Sequence, residues 1–306
     1  MNLFLGVKSD PIEYRYSYEW LFDLMAESGV NRMQLGTFLE MYFLDLDWFV
    51  RLKEKAGQRG IVISSVFTSH RELGGLMSGD PDFGAVAIRN YRRAIEVGAA
   101  LDADYVGSNI GTVYGDRMAE KAANLKRAMA NLKDMSHYAN ENGLKALTIE
   151  PMSCLAEPPT LPEECAEMMA DLGAYARMHR DAVPFYFCAD TAHGYANAEA
   201  VVIHDNFSLF EAQIPHMCEF HFKNTDAIFN STFGFSPEER QRGVVDLVRL
   251  RRLIDAKANA FPVSDVVGYL ELSGPKTGRD YSDPLLGTVL KTSLAALRGH
   301  FDFSER

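Results

Sequence analysis

Short apolar runs alternate with longer amphipathic segments eight times along this 306-residue chain. Such alternation is typical of parallel β-strands joined by crossover helices. The strand-like runs lie at residues 3–7, 32–38, 61–68, 105–109, 145–150, 185–190, 220–223 and 267–272. Eight strand-helix units in this length predict an α/β fold, a (β/α)8 TIM barrel, that forms a single domain over residues 1–306.

Helix boundary signals support this pattern. Asp80 and Pro81 form a good N-cap and first-turn pair, and Gly60 is suited to the backbone conformation that follows a helix end. Long helices are expected from about residue 119 and from about residue 244. A weaker helix is predicted over residues 207–213, and the last helix is expected to begin at Asp283 and Pro284.

Charge and hydropathy limit the classes of partner. The formal net charge of −11 argues against a nucleic-acid backbone as the partner, because that binding depends on clustered Lys and Arg. No apolar stretch approaches the roughly 20 residues needed to span a bilayer, and the first residues lack a signal-peptide pattern. We therefore expect a cytoplasmic protein, with no membrane partner, that acts on a small molecule.

The four cysteines, Cys154, Cys165, Cys188 and Cys218, show no CxxC pairing. Cys188 and Cys218 lie in strand-like runs, at residues 185–189 and 218–220, beside apolar neighbours. This pattern indicates reduced, mostly buried thiols that do not bind metal.

Four potential metal ligands, Glu150, Asp190, His221 and Glu271, each directly follow a short apolar run that indicates a strand. These runs lie at residues 146–149, 185–189, 218–220 and 266–270. A single carboxylate at a strand end is most often solvated or salt-bridged. Four donors on consecutive strands are different, because the carboxyl ends of barrel strands meet at one face. Three carboxylates and an imidazole suit one divalent ion, Mn²⁺, Mg²⁺ or Co²⁺, with Zn²⁺ also compatible.

Histidines are otherwise weak signals. His193 is the exception, since it follows Asp190 by three residues and is placed to contact a substrate as an acid or donor. The usual interpretation, a surface or satisfied core residue, applies to His137, His179, His204, His216 and His300.

Four segments carry a resemblance to a known family: Ile149-Glu150-Pro151, Asp190-Thr191-Ala192-His193, His221-Phe222-Lys223-Asn224 and Leu270-Glu271. Their order and intervals are similar to those of the xylose isomerase-like TIM barrels, which include metal-dependent ketose 3-epimerases and sugar-phosphate isomerases. The resemblance covers nearly the whole chain.

The resemblance implies a role for each donor. Glu150 and Glu271 would bind the metal and flank the reacting carbon, one removing a proton α to the ketone and the other returning it through a cis-enediolate. Asp190 and His221 would complete the metal site, and His193 would contact a substrate oxygen. No organic cofactor is implied, and a dimer or tetramer is the expected assembly.

Two positions bear on the substrate contacts. Glu157 is the counterpart of a family glutamate, one residue later than expected, whereas Ala227 replaces an arginine common in the sugar epimerases. Candidate phosphate contacts are Lys276 and Arg279 after the eighth strand, His70 and Arg71 after the third, and Lys8 and Lys223 at strand ends. TIM barrels often hold phosphate near strands seven and eight, although a solvated basic loop is the alternative.

A phosphorylated short ketose is therefore the expected substrate, a tetrulose or pentulose phosphate. Residues 5–8 and 150–159 also resemble the tetrulose-phosphate racemase or isomerase branch of erythritol catabolism. Epimerisation and aldose-ketose isomerisation remain open. Alternatives are a lyase resembling inosose dehydratases, a nuclease resembling endonuclease IV and a non-catalytic sugar-binding barrel, whereas a dehydrogenase is disfavoured because no G-x-G-x-x-G follows the first strand.

Overall fold

The computed structural model describes residues 1–13, 15–36, 39–68, 75–273 and 285–305. Its strands are β1 (Asn2–Lys8), β2 (Arg32–Gly36), β3 (Val62–Thr68), β4 (Tyr105–Ser108), β5 (Ala146–Ile149), β6 (Phe185–Asp190), β7 (Tyr195–Ala196), β8 (Val202–His204), β9 (Met217–Phe222) and β10 (Asp265–Leu270). Its helices are α1 (Tyr18–Glu27), α2 (Leu39–Phe43), α3 (Leu46–Gly57), α4 (Pro81–Ala100), α5 (Lys121–Glu141), α6 (Pro162–Met178), α7 (Asn206–Gln213), α8 (Pro237–Arg242), α9 (Leu247–Ala256) and α10 (Leu285–His300).

Eight of these strands form a closed barrel in the order β1-β10-β9-β6-β5-β4-β3-β2. Pairing is parallel between β1 and β10, where Val7 lies opposite Leu270, and between β10 and β9, where Tyr269 lies opposite His221. A helix or a longer helical connection separates successive barrel strands. The predicted (β/α)8 fold is confirmed.

Contacts between Cα atoms divide the chain into two compact units. The first comprises residues 1–36, 51–63 and 189–306, and it contains β1, β2, β9 and β10. Phe4, Val267 and Tyr269 pack as a buried cluster within it. The second comprises residues 37–50 and 64–188, where β4 pairs in parallel with β5. The single domain over residues 1–306 stays a prediction.

Local signals placed most boundaries close to their observed positions. The Asp80 side chain accepts hydrogen bonds from the backbone N–H groups of Asp82 and Phe83, so the predicted N-cap of α4 is confirmed. The weak helix predicted at residues 207–213 is also present, as α7. Asp283 and Pro284, the expected start of the last helix, lie outside the described residues.

Several elements differ from the expectation. The helix expected from residue 119 begins as a 3-10 helix, Gly115–Glu120, before α5. The helix expected from residue 244 begins at Leu247, because the Asp246 side chain caps it by accepting from Val248 N and Arg249 N. The antiparallel hairpin of β7 and β8 and the short helices α2 and α8 were not predicted, since such short segments carry little periodicity.

Within the described part of the chain, no helix is long and apolar enough to cross a membrane.

The four cysteines are unpaired in the structure, which leads to a testable difference in reactivity. Cys154 is exposed, whereas Cys165, Cys188 and Cys218 are buried, and burial raises the pKa of the Cys165 thiol to about 12. We expect one thiol per native chain to react rapidly with Ellman's reagent and four after unfolding. The Cys154→Ser variant should lose the rapid phase; a rapid phase that persists in this variant would contradict the burial pattern.

Candidate active site

Asp190, His221 and Glu271 converge at the carboxyl ends of neighbouring strands. Asp190 ends β6, His221 lies near the end of β9 and Glu271 directly follows β10. The Nδ1 atom of His221 lies 3.0 Å from Oε2 of Glu271 and 4.0 Å from Oδ2 of Asp190. All three residues are buried. Their donor atoms therefore point toward one another away from bulk water.

Glu150, the fourth predicted ligand, is buried and directly follows β5. Asp190, His221 and Glu271 belong to a buried group of possible metal ligands in which one donor atom per residue lies within 4.8 Å of the others. The structure thus contains a buried carboxylate and histidine cluster that could hold a metal ion.

Two buried lysines neutralise part of the negative charge at this site. Lys8 Nζ lies 3.0 Å from Oε1 of Glu271 and 3.0 Å from Oδ2 of Asp10. Lys223 Nζ lies 2.8 Å from Oδ2 of Asp190 and 3.4 Å from Oε2 of Glu271. Three carboxyl groups, those of Asp10, Asp190 and Glu271, therefore share two ammonium groups.

Burial and charge act in opposite directions on the two carboxyl groups that contact Lys8. Burial alone would raise the pKa of Glu271, but Lys223, Lys8 and His221 outweigh it and hold that pKa well below its usual value. For Asp10, burial dominates and raises the pKa, although Lys8 opposes the shift. These directions favour ionisation of Glu271 over that of Asp10, and an ionised Glu271 can bind a cation or accept a proton.

Gln34 in β2 determines which nitrogen of His221 faces the carboxylates. The side-chain oxygen Oε1 of Gln34 lies 2.8 Å from Nε2 of His221, and both side chains are fully buried. Because this oxygen only accepts hydrogen bonds, Nε2 carries the proton and donates it. Nδ1 is then the atom left for Asp190 and Glu271, and its lone pair is available to a metal in the neutral tautomer.

The loop after β6 is attached to β9 by hydrogen bonds that fix the Asp190 carboxylate. Oδ1 of Asp190 accepts from the backbone N–H of Ala192 at 2.7 Å, which leaves Oδ2 toward the site. Thr191 N donates to His221 O, and the Thr191 hydroxyl donates to Lys223 O. His193 is buried, and its Nε2 lies 3.4 Å from Oδ2 of Asp190.

The donor geometry is compatible with a divalent ion. Metal-ligand bonds of about 2.0–2.2 Å separate adjacent ligands by roughly 3 Å and opposite ligands by roughly 4.2 Å in an octahedral site. The 3.0 Å and 4.0 Å separations around His221 Nδ1 fall in that range. A bound cation would share the oxygens of Asp190 and Glu271 with Lys223, so the residues present fit a metal.

Of the other predicted substrate contacts, two lie in the site, one lies in a connecting segment and the rest lie outside the described residues. Glu157 is half-buried in the connection between β5 and α6. Lys8 and Lys223 are inside the site, where both contact carboxylates. The remaining candidates for phosphate binding all lie outside the described residues: His70, Arg71, Lys276 and Arg279.

Gln34 and Asp10 are site residues that the sequence reasoning missed. Gln34 alternates with Arg32 and Gly36 in β2, opposite the apolar face of Met33 and Leu35. Polar residues at every second position of a barrel strand are a usable signal for an interior site.

This chain is similar to known proteins in sequence and in fold. The sequence profile described as "Xylose isomerase-like TIM barrel" matches residues 22–262. No curated protein matches the chain in sequence. Among solved structures, a Rhodospirillum rubrum protein described as a candidate xylose isomerase has a TM-score of 0.81 and 20% identity, with coverage of 98% of this chain and 100% of that one.

Two further structures share the fold. D-psicose 3-epimerase from Clostridium cellulolyticum H10 has a TM-score of 0.70 and 16% identity, covering 98% of this chain and 99% of its own. The 3-DHS dehydratase AsbF from Bacillus anthracis has a TM-score of 0.64 and 11% identity, covering 96% and 98%.

The match over residues 22–262 shows that the chain belongs to the xylose isomerase-like TIM barrel family. The resemblance drawn from the four sequence segments is therefore confirmed. This family assignment also confirms the expectation that the protein is an enzyme.

The hydrogen bond between Gln34 and His221 can be tested by replacing its acceptor. We expect Gln34→Leu to leave the buried Nε2–H of His221 without this acceptor, at a cost of about 1–3 kcal/mol in the free energy of unfolding. Urea unfolding measures the cost, and ¹⁵N NMR reports the His221 tautomer, expected to be Nε2–H in the wild type. Gln213→Leu, at another buried glutamine, is the control and should leave the tautomer unchanged. A wild-type Nδ1–H tautomer would disprove the assignment.

Proposed function

We propose that this protein is a divalent-metal-dependent epimerase, racemase or isomerase of a short ketose, in particular a tetrulose or pentulose phosphate. The observation that supports it best is the buried carboxyl group of Glu271 beside His221 and Asp190, where Lys223, Lys8 and His221 hold its pKa well below the usual value despite burial. A buried carboxylate kept free of its proton is suited to abstract one from carbon. The fold shared with a ketose 3-epimerase is consistent with this chemistry.

The proposal assigns separate tasks to the four donors. Glu150 and Glu271 transfer the proton α to the ketone, one removing it and the other returning it, whereas Asp190 and His221 mainly hold the ion. A divalent ion, when bound, supplies Lewis acidity that stabilises the developing enediolate charge. His193, beside Asp190, contacts a substrate oxygen. No organic cofactor takes part.

Lys8 and Lys223 explain how Glu271 stays ionised next to an anionic substrate. Both ammonium groups already contact Glu271, so each keeps this base deprotonated and adds positive potential to the pocket. Under the proposal, Lys276 and Arg279, together with His70 and Arg71, bind the substrate phosphate. Glu157 contributes a further polar contact to the sugar.

Proton transfer by the two glutamates can be tested by exchange in D₂O. We expect metal-loaded wild-type protein to exchange the proton α to the ketone of a tetrulose or pentulose phosphate, as followed by NMR. Glu150→Gln and Glu271→Gln should slow this exchange by about 10²–10⁴-fold, because an amide cannot accept the proton. Absence of exchange with every ketose and ketose phosphate would refute the proposal, and an unsaturated product would favour a dehydratase.

The matched control separates proton transfer from metal binding. Asp190→Asn makes the same carboxylate-to-amide change at a residue assigned only to the ion, so raising the metal concentration should restore much of its exchange. The same excess should not rescue Glu271→Gln. Glu211→Gln, at an exposed glutamate paired with Lys257, should exchange at the wild-type rate. Rescue of Glu271→Gln by metal would limit Glu271 to a ligand role.

Phosphate recognition can be tested with the double variant Lys276→Ala/Arg279→Ala. Each charge-assisted hydrogen bond contributes about 1.5–3 kcal/mol, so the preference for the phosphorylated over the free ketose should fall by roughly 10-fold or more. The measurement is the ratio of kcat/KM for the two substrates. Lys291→Ala, at an exposed lysine paired with Glu27, is the control. An unchanged ratio would remove this loop from phosphate binding.

A further inference from the structure

A second group of metal-binding side chains lies between α5 and the turn that follows α6. His137 is on α5, and His179 and Asp181 belong to the segment that connects α6 to β6. One donor atom from each residue lies within 4.8 Å of the others. The side chain of His137 is 27% exposed and that of Asp181 is 76% exposed, so ions can reach the group from solvent.

The geometry points to a peripheral Zn²⁺ site, which we propose is formed by His137, His179 and Asp181. Two imidazoles and one carboxylate are a common donor set for Zn²⁺ and leave a fourth position for water. His137 Nδ1 lies 3.1 Å from Oδ2 of Asp181. Zinc bonds of about 2.0–2.1 Å place adjacent ligands of a tetrahedron about 3.4 Å apart, close to this separation. Nδ1 of His137 also lies 3.1 Å from the backbone oxygen of Asp181, and zinc at Nδ1 would replace that contact.

The contact between Tyr175 and His137 distinguishes this group from polar side chains that are neighbours by chance. Its hydroxyl lies 2.7 Å from Nε2 of His137, the ring nitrogen on the other side from Nδ1. A hydroxyl can donate or accept a hydrogen bond. It therefore satisfies Nε2 whether the ring proton is on Nδ1 or on Nε2, and the proton can move to Nε2 when Nδ1 binds zinc. Such a partner on the second nitrogen is typical of metal-binding histidines.

The other two ligands are held by rigid local structure. The ring of His179 stacks on that of Tyr175, with centroids 4.1 Å apart. The turn is closed by a hydrogen bond from Ala182 N to His179 O at 3.1 Å, and Val183 N donates to Ser136 O at 3.2 Å, which attaches the turn to α5. The ligands are thus positioned without the ion, and zinc would link α5 to the segment entering β6.

The location gives this site a structural role that is separate from catalysis. Residues 179–183 lead into the start of β6, whereas Asp190 is at its end. In TIM barrels the amino ends of the strands serve stability and the carboxyl ends serve chemistry. Zinc at His137, His179 and Asp181 is therefore expected to stabilise the fold without altering proton transfer.

Zinc and cobalt titrations of the chelator-treated full chain test the proposal. Calorimetry with Zn²⁺ should show one equivalent fewer for His179→Ala and Asp181→Asn than for the wild type, and Tyr175→Phe should lower the affinity of that equivalent by about tenfold or more. Co²⁺ should give intense visible bands typical of tetrahedral coordination that are lost in the same two ligand variants. His204→Ala is the control and should retain both signals.

The Asp181 side chain is largely exposed, so its replacement by Asn is expected to leave the packing intact. A change of zinc stoichiometry in Asp181→Asn therefore reports on zinc binding and not on folding. Equal zinc stoichiometry in the wild type, His179→Ala and Asp181→Asn would overturn the peripheral site. Retention of the extra equivalent in Asp190→Asn would show that the two sites are independent. Thermal unfolding adds a second readout, since zinc should raise the Tm of the wild type more than that of Asp181→Asn.

Discussion

The buried carboxylate of Glu271 is the constraint on which the active-site end of the structure depends. An ionised carboxylate away from water is too costly unless cations and hydrogen-bond donors surround it. Lys8 lies on β1, and His221 and Lys223 lie on or directly after β9. Because β1 and β9 are the two strands that pair with β10, the order of the strands places these compensating groups beside Glu271.

Residues of the barrel strands therefore influence the chemistry of the active site. His221 uses one nitrogen toward Gln34 and the other toward Glu271 and Asp190. The Gln34 side chain therefore decides the tautomer of a residue 187 positions away in sequence. If Gln34 presented a donor in place of its acceptor, Nε2 of His221 would have to accept, and a neutral ring would then carry its proton on Nδ1, where it could not bind a metal ion.

The sequence was most informative where local patterns decide the outcome. Apolar runs closed by Asp190 or Glu271 identify strand ends, and Asp80 identifies a helix start, because each depends on neighbours a few residues away. Gln34 was missed because its partner, His221, meets it only after the barrel closes. Asp10 lies two residues after Lys8, but it joins the site only because Lys8 also contacts Glu271 after β1 pairs with β10. His137 was interpreted as an ordinary surface or core histidine for the same reason, since Tyr175 and Asp181 meet it only when α5 packs beside α6.

The family assignment identifies the fold, whereas the site geometry bears on the reaction. The same barrel is shared with a ketose epimerase and a dehydratase at identities of 16% and 11%, so fold alone does not select a reaction. The groups at the strand ends bear on that choice. Lys223, Lys8 and His221 hold the pKa of the Glu271 carboxyl well below its usual value against the opposing effect of burial, so this side chain is suited to accept a proton. Removal of a proton next to a carbonyl is a step that epimerisation, isomerisation and dehydration share, so the reaction is decided by the group that returns a proton, either to carbon or to a departing hydroxyl.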